Sequence, residues 1–134
     1  VTAEAFNAAL IWDGSTGDGL YNTADNWTPS RVPSAADTIT LNNTDCTGAN
    51  CNMTINVSTT TAGFTMAALY AGTVTQAAGV TFTVNGTFSV ASGTFAGGDS
   101  AIDINGSFSQ TGGAFTPTSG SFTISQNTKD TKKD

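Results

Sequence analysis

Cys46 and Cys51 frame the hexapeptide Cys-Thr-Gly-Ala-Asn-Cys and are the only thiols in the chain. A zinc site would need further sulfur or imidazole ligands, and the sequence has no other Cys and no His. A short disulfide loop is the better reading, and it implies an oxidising compartment. The lack of histidine also narrows catalysis, because a general base would have to be a carboxylate or a perturbed Lys. Asp103 is the only carboxylate in the strands of the clearest part of the sequence, with Asp99 at a bend before it. Thr83 and Thr123 stand where Asp103 stands in neighbouring units, so a solvated strand face explains it better than an acid/base pair. Asp13, Asp18 and Asp25 could offer oxygens to calcium, but their spacing is not that of an EF-hand, and a solvated Asp/Gly turn is the plainer reading. No cofactor is expected. Six Asn-x-Ser/Thr sequons, at Asn26, Asn42, Asn52, Asn56, Asn85 and Asn105, would accept N-linked glycans, although several would arise by chance in so Asn- and Thr-rich a chain.

The elements that position these residues are visible as a repeat. Residues 81–89 read Thr-Phe-Thr-Val-Asn-Gly-Thr-Phe-Ser, and residues 101–109 read Ala-Ile-Asp-Ile-Asn-Gly-Ser-Phe-Ser. Ser-Phe-Thr-Ile-Ser begins again at Ser121. The offset is a constant 20 residues: Phe82, Ile102 and Phe122 correspond, as do Val84, Ile104 and Ile124. Phe88 recurs as Phe108, Gly93 as Gly113, and Phe95 as Phe115. Within a unit, large apolar residues alternate with Thr, Ser or Asp, the parity of strands with one inward face. Asn85-Gly86 and Asn105-Gly106 should turn corners, since both residue types tolerate positive φ.

One such unit cannot bury its own apolar row, so copies must stack. The expected fold is all-β, a short right-handed parallel β-solenoid with coils of about 20 residues and an N-terminal cap. An antiparallel β-sandwich built on Asn-Gly hairpins is the alternative. Phe64-x-Met66, Leu69 and Val74 suggest a shortened earlier coil, preceded by Met53-x-Ile55-x-Val57 and Ile39-x-Leu41. The resulting organisation is an arm and cap over 1–36, coils over 37–124 and a polar tail over 125–134. Trp12, Leu20, Tyr21, Trp27 and Val32 are the candidates for the cap's core.

Composition agrees with β structure. Only 10% of the 134 residues are charged and 38% are hydrophobic, with Thr, Ser, Gly, Asn and Ala making up much of the remainder. The net charge is −6, and before Lys129 the sole basic residue is Arg31, against eight carboxylates. A nucleic-acid partner would need a basic face, and none is available. Membrane insertion is not expected, because no apolar run approaches the ~18 residues of a spanning helix. The first residue is Val, which suggests a mature product of export.

Asn26-Trp27 followed by Val32-Pro33 and Asp37-Thr38, leading into the Asn-Gly-x-Phe-Ser repeats, resembles the start of bacterial extracellular β-helix modules of the autotransporter and adhesin kind. That resemblance implies export, surface display, adhesion or matrix building, and the chain departs from those families in having few coils. The leading expectation is a non-enzymatic, secreted structural subunit of a filament, sheath or surface layer, its partner being itself, head to tail. Phe122, Thr123 and Ile124 would be the assembly edge, met by an arm containing Val1 and Phe6. An adhesin or carbohydrate-binding module with glycan partners is second, and a polysaccharide-degrading β-helix enzyme third. An ice-binding array of Thr-x-Thr pairs is disfavoured, because Ala101 and Asp103 interrupt the file set by Thr81 and Thr83.

Overall fold

The computed structural model describes residues 8–125. Its strands are β1 (Ala9–Trp12), β2 (Trp27–Thr28), β3 (Thr38–Leu41), β4 (Met53–Ile55), β5 (Thr59–Thr61), β6 (Gly63–Met66) and β7 (Thr73–Gln76). They continue as β8 (Phe82–Val84), β9 (Phe88–Val90), β10 (Thr94–Ala96), β11 (Ile102–Ile104), β12 (Phe108–Gln110), β13 (Ala114–Thr116) and β14 (Phe122–Ile124). The chain visits three sheets in turn on every circuit. The first sheet runs β12-β9-β6-β3-β1-β2, the second β13-β10-β7-β4 and the third β14-β11-β8-β5.

This is a β-solenoid of about four turns. Every strand pairing among the described residues is parallel except β1 with β2, which rules out the antiparallel sandwich. Phe82, Ile102 and Phe122 stand opposite one another in the third sheet, and Phe88 opposite Phe108 in the first. Val74, Phe95 and Phe115 form the matching column of the second sheet. The alternation has a simple cause. Three-residue strands such as Phe-Thr-Val and Ile-Asp-Ile put both ends inward and the middle residue outward. Phe64, Phe82, Phe88 and Phe95 meet inside at centroid distances of 5.0–6.4 Å and are fully buried.

The corners depart from the expected chemistry. Positive φ occurs at Gly93 (82°) and Gly113 (65°), but not at Asn85-Gly86 or Asn105-Gly106. Gly86 and Gly106 are required for space instead. A Cβ on Gly106 would lie 2.2 Å from the Gly86 carbonyl oxygen, and one on Gly86 would lie 2.3 Å from that of Ala62. The stacked coils simply come too close there for any side chain. The upstream coils also differ from expectation. Leu69 is 80% exposed with φ of 74°, and Tyr70 takes the inward place. Corners in this region carry extra residues, so Phe64 faces Phe88 across 24 positions where the later coils need 20.

Buried polar side chains finish the corners. Gln76 Nε2 donates to the Val80 carbonyl (2.6 Å), and Gln76 Oε1 accepts from the Gly98 N–H (2.7 Å). Thr61 Oγ1 donates to the Asp37 carbonyl (2.6 Å). Bends that leave the sheet ladders are thereby satisfied by the protein itself.

Candidate functional site

The two ends of the stack are built differently. At the N-terminal end β1 pairs in parallel with β3, and β2 returns antiparallel beneath it. Leu20 bridges Thr54 at the outer edge of β4. Trp12, Tyr21 and Trp27 pack together fully buried, Trp27 edge-on to Trp12 (5.1 Å) and to Tyr21 (5.3 Å). Trp27 Nε1 donates to the Tyr21 carbonyl at 2.8 Å. Burial pushes the Tyr21 phenol up to about 12. Of the other cap residues, Leu20 is half-buried, whereas Val32 is 38% exposed, so Val32 is not part of this core. Pro33 rather than Val32 turns inward.

Cys46 and Cys51 are disulfide-bonded in the loop between β3 and β4. The loop is a docking point as well as a closure. Trp12 Nε1 donates to the Asn50 carbonyl (2.9 Å), and the Tyr70 hydroxyl donates to the Cys51 carbonyl. Reduction should therefore loosen both the loop and the cap it anchors. Closing so short a loop contributes about 2 kcal/mol, so a reducing agent is expected to lower the melting temperature by about 7 °C. Calorimetry with and without dithiothreitol measures this directly.

Sequence reading missed the ion pair between Asp37 and Arg31. Asp37 is fully buried and takes both guanidinium nitrogens of Arg31 (2.5 and 2.8 Å). It also accepts the backbone N–H groups of Ala8 (2.9 Å) and Ser34 (2.7 Å). Arg31 was the available signal, as the sole basic residue of the acidic body. Burial alone would raise the Asp37 carboxyl, but Arg31 and the donors from Ser34 and Ala8 outweigh it and hold the group well below the usual range. A group so depressed stabilises the fold above its unfolded value near 4 and loses that contribution as pH falls further. Asp37→Asn is expected to remove about 3 kcal/mol at pH 7 and to flatten the fall in stability below pH 4. Urea titrations at pH 7, 4 and 3 give the comparison.

The candidate chemical sites do not converge. Asp103 stands on the outer face of the third sheet between Thr83 and Thr123, with no second carboxylate beside it in the register. Asp18 accepts hydrogen bonds from the Leu20 N–H (2.9 Å), Asn26 Nδ2 (2.7 Å) and Thr23 Oγ1 (2.8 Å), which bring it down to about 2. Asp13 accepts from the Ser15 N–H and the Thr28 hydroxyl, so these loop carboxylates serve as turn braces. Among the described residues no group of three or more His, Cys, Asp or Glu could hold a metal ion. No helix there is long and apolar enough to cross a membrane.

The sequons divide by access. Asn26 is fully buried, with Nδ2 donating to Asp18 and to the Leu20 carbonyl, so no glycan can be attached to it. Asn52 and Asn85 are exposed, while Asn42, Asn56 and Asn105 are half-buried. Asn105 Nδ2 donates to Asn85 Oδ1 (2.9 Å), and Asn56 Nδ2 donates to Asn22 Oδ1 (2.8 Å), so these side chains link neighbouring segments.

Among the described residues, the C-terminal end of the stack is open. β12, β13 and β14 are the last members of their sheets, and no described strand pairs with their outer edges. Phe108, Phe115 and Phe122 form a triangle of rings 4.9, 5.4 and 5.8 Å apart. Each is only half-buried, whereas Phe88, Phe95 and Ile102 directly beneath are fully covered. Ile124 is 45% exposed and Thr123 is exposed beside it. Phe122, Thr123 and Ile124 thus lie on this end together with Phe108 and Phe115, which the repeat's constant offset could have named. Val1 and Phe6, the other residues expected at an assembly edge, lie outside the described residues.

Searches of family models, curated proteins and solved structures found nothing that matches this chain. The fold is accordingly established by the strand register, and the autotransporter and adhesin resemblance stops at the shared β-solenoid arrangement.

Proposed function

We propose that this protein is a non-enzymatic structural subunit of an extracellular filament, sheath or surface layer, joined end to end through open β-edges. The observation that carries the reading is the last coil, left uncovered among the described residues, where three parallel strand edges surround three half-exposed phenylalanine rings. Unpaired strand edges backed by apolar side chains are templates for further chain, and proteins that stay monomeric protect them. The disulfide fits an oxidising extracellular setting. A glycan-binding role would draw on exposed aromatic faces, yet Trp12, Tyr21 and Trp27 are all turned inward.

Negative-stain electron microscopy over a concentration range tests this. End-joined rods or filaments that lengthen with concentration are expected. Single short particles at every concentration would overturn the proposal.

A further inference from the structure

Resting on that structural reading, we infer that the open C-terminal coil binds the same coil of a second copy across a two-fold axis. Four observations select this partner. From Ile104 to Ser125 the chain has no Asp, Glu, Lys or Arg, although the whole protein carries a net charge of −6. Where one surface meets itself, a patch carrying charge of one sign would repel its copy, so a charge-free patch in an acidic protein suits such a contact. Second, the ring triangle of Phe108, Phe115 and Phe122 is self-complementary in chemistry, and its free strand edges supply donors and acceptors in equal kind.

Third, Phe108, Phe115 and Phe122 are half-buried, whereas Phe88, Phe95 and Ile102 one coil beneath are fully covered. Fourth, the cap end is a poor match for the open coil. Its first sheet ends in β2, which is two residues long and stops at Pro29, a residue without an N–H. Asp13, Asp18 and Asp25 add negative charge there. Rotation about the two-fold axis reverses strand direction, so the edges of β12, β13 and β14 meet those of the second copy antiparallel, a fully competent pairing. The unit of assembly is then a rod with a cap at each end.

The test uses the full chain with Gln110→Cys, an exposed position on the open coil whose new thiol leaves the native disulfide intact. Mild oxidation is expected to give a covalent dimer, joined through the introduced thiol of each copy and stopping at two. Sedimentation of Phe115→Asp should show dimer dissociation strengthened by about thirtyfold or more, while Thr83→Asp, mid-stack on an outer face, leaves it unchanged. Circular dichroism of each variant confirms that the coils are intact. If Gln110→Cys cross-links only to Thr28→Cys on the cap of another molecule, the like-to-like junction is wrong and end-to-end assembly stands. A wild-type chain that sediments as a monomer at all concentrations would overturn both.

Discussion

Phe88→Ala is expected to lower the free energy of unfolding by about 4 kcal/mol. Phe88 is fully buried at the middle of the aromatic interior. Its ring lies 5.0 Å from Phe64, 5.2 Å from Phe95, 5.4 Å from Phe108 and 5.6 Å from Phe115. The loss combines the transfer energy of the ring with the cavity left among neighbours whose backbones are held in parallel ladders and cannot collapse inward. Ser89→Ala, one residue on and facing outward, should change stability by less than about 0.5 kcal/mol. Paired urea titrations read both. A loss below about 1.5 kcal/mol for Phe88→Ala would show that the aromatic column is not the core of the stack.

Trp27→Ala should be nearly as damaging, at about 4 kcal/mol. The substitution removes edge-on contacts to Trp12 and Tyr21, and it leaves the Tyr21 carbonyl without the indole donor inside a buried site. Trp27→Phe, which keeps a ring but not the N–H, should fall between wild type and Ala. The comparison also separates two roles for this residue. Were Trp27 a sugar-stacking platform, its removal would abolish binding and leave the fold intact. The geometry predicts the reverse, a cap that melts, visible as loss of the near-ultraviolet dichroism of the tryptophans together with an earlier unfolding midpoint.

The later coils were legible in the sequence because their geometry is reflected in a fixed offset. Phe82, Ile102 and Phe122 correspond at 20-residue intervals and are in fact stacked, and Asp103 does face outward between two threonines. The earlier coils were harder for a physical reason. Insertions collect at corners, where a solenoid tolerates them, so the register slips from 20 to 24 between Phe64 and Phe88 although the inward columns remain continuous. Leu69 looked like a core residue by type alone, yet the corner turns it to solvent and brings in Tyr70, which anchors the disulfide loop. Gly86 shows a further limit. Its presence was evident, but whether a glycine serves φ or space depends on how closely the neighbouring coil approaches. The Asp37–Arg31 pair is a long-range consequence of the cap's path and left little local pattern. At the open end, Phe122 and Ile124 followed from being last in the repeat, and Phe108 and Phe115 complete that face through the same offset.

Residues 81–100 and 101–120 share one register, and hydrogen bonds between equivalent side chains tie them, Asn105 to Asn85 and Thr87 to Ser107. A tandem copy inserted at the Ser100–Ala101 join would find the same partners above and below it. Each in-frame duplication would therefore lengthen the molecule by one strand spacing, ~4.8 Å, without requiring change at any other residue. Reach is a quantity that unequal recombination alone can set in such a gene, so that the length of the stack can change while its chemistry is left untouched.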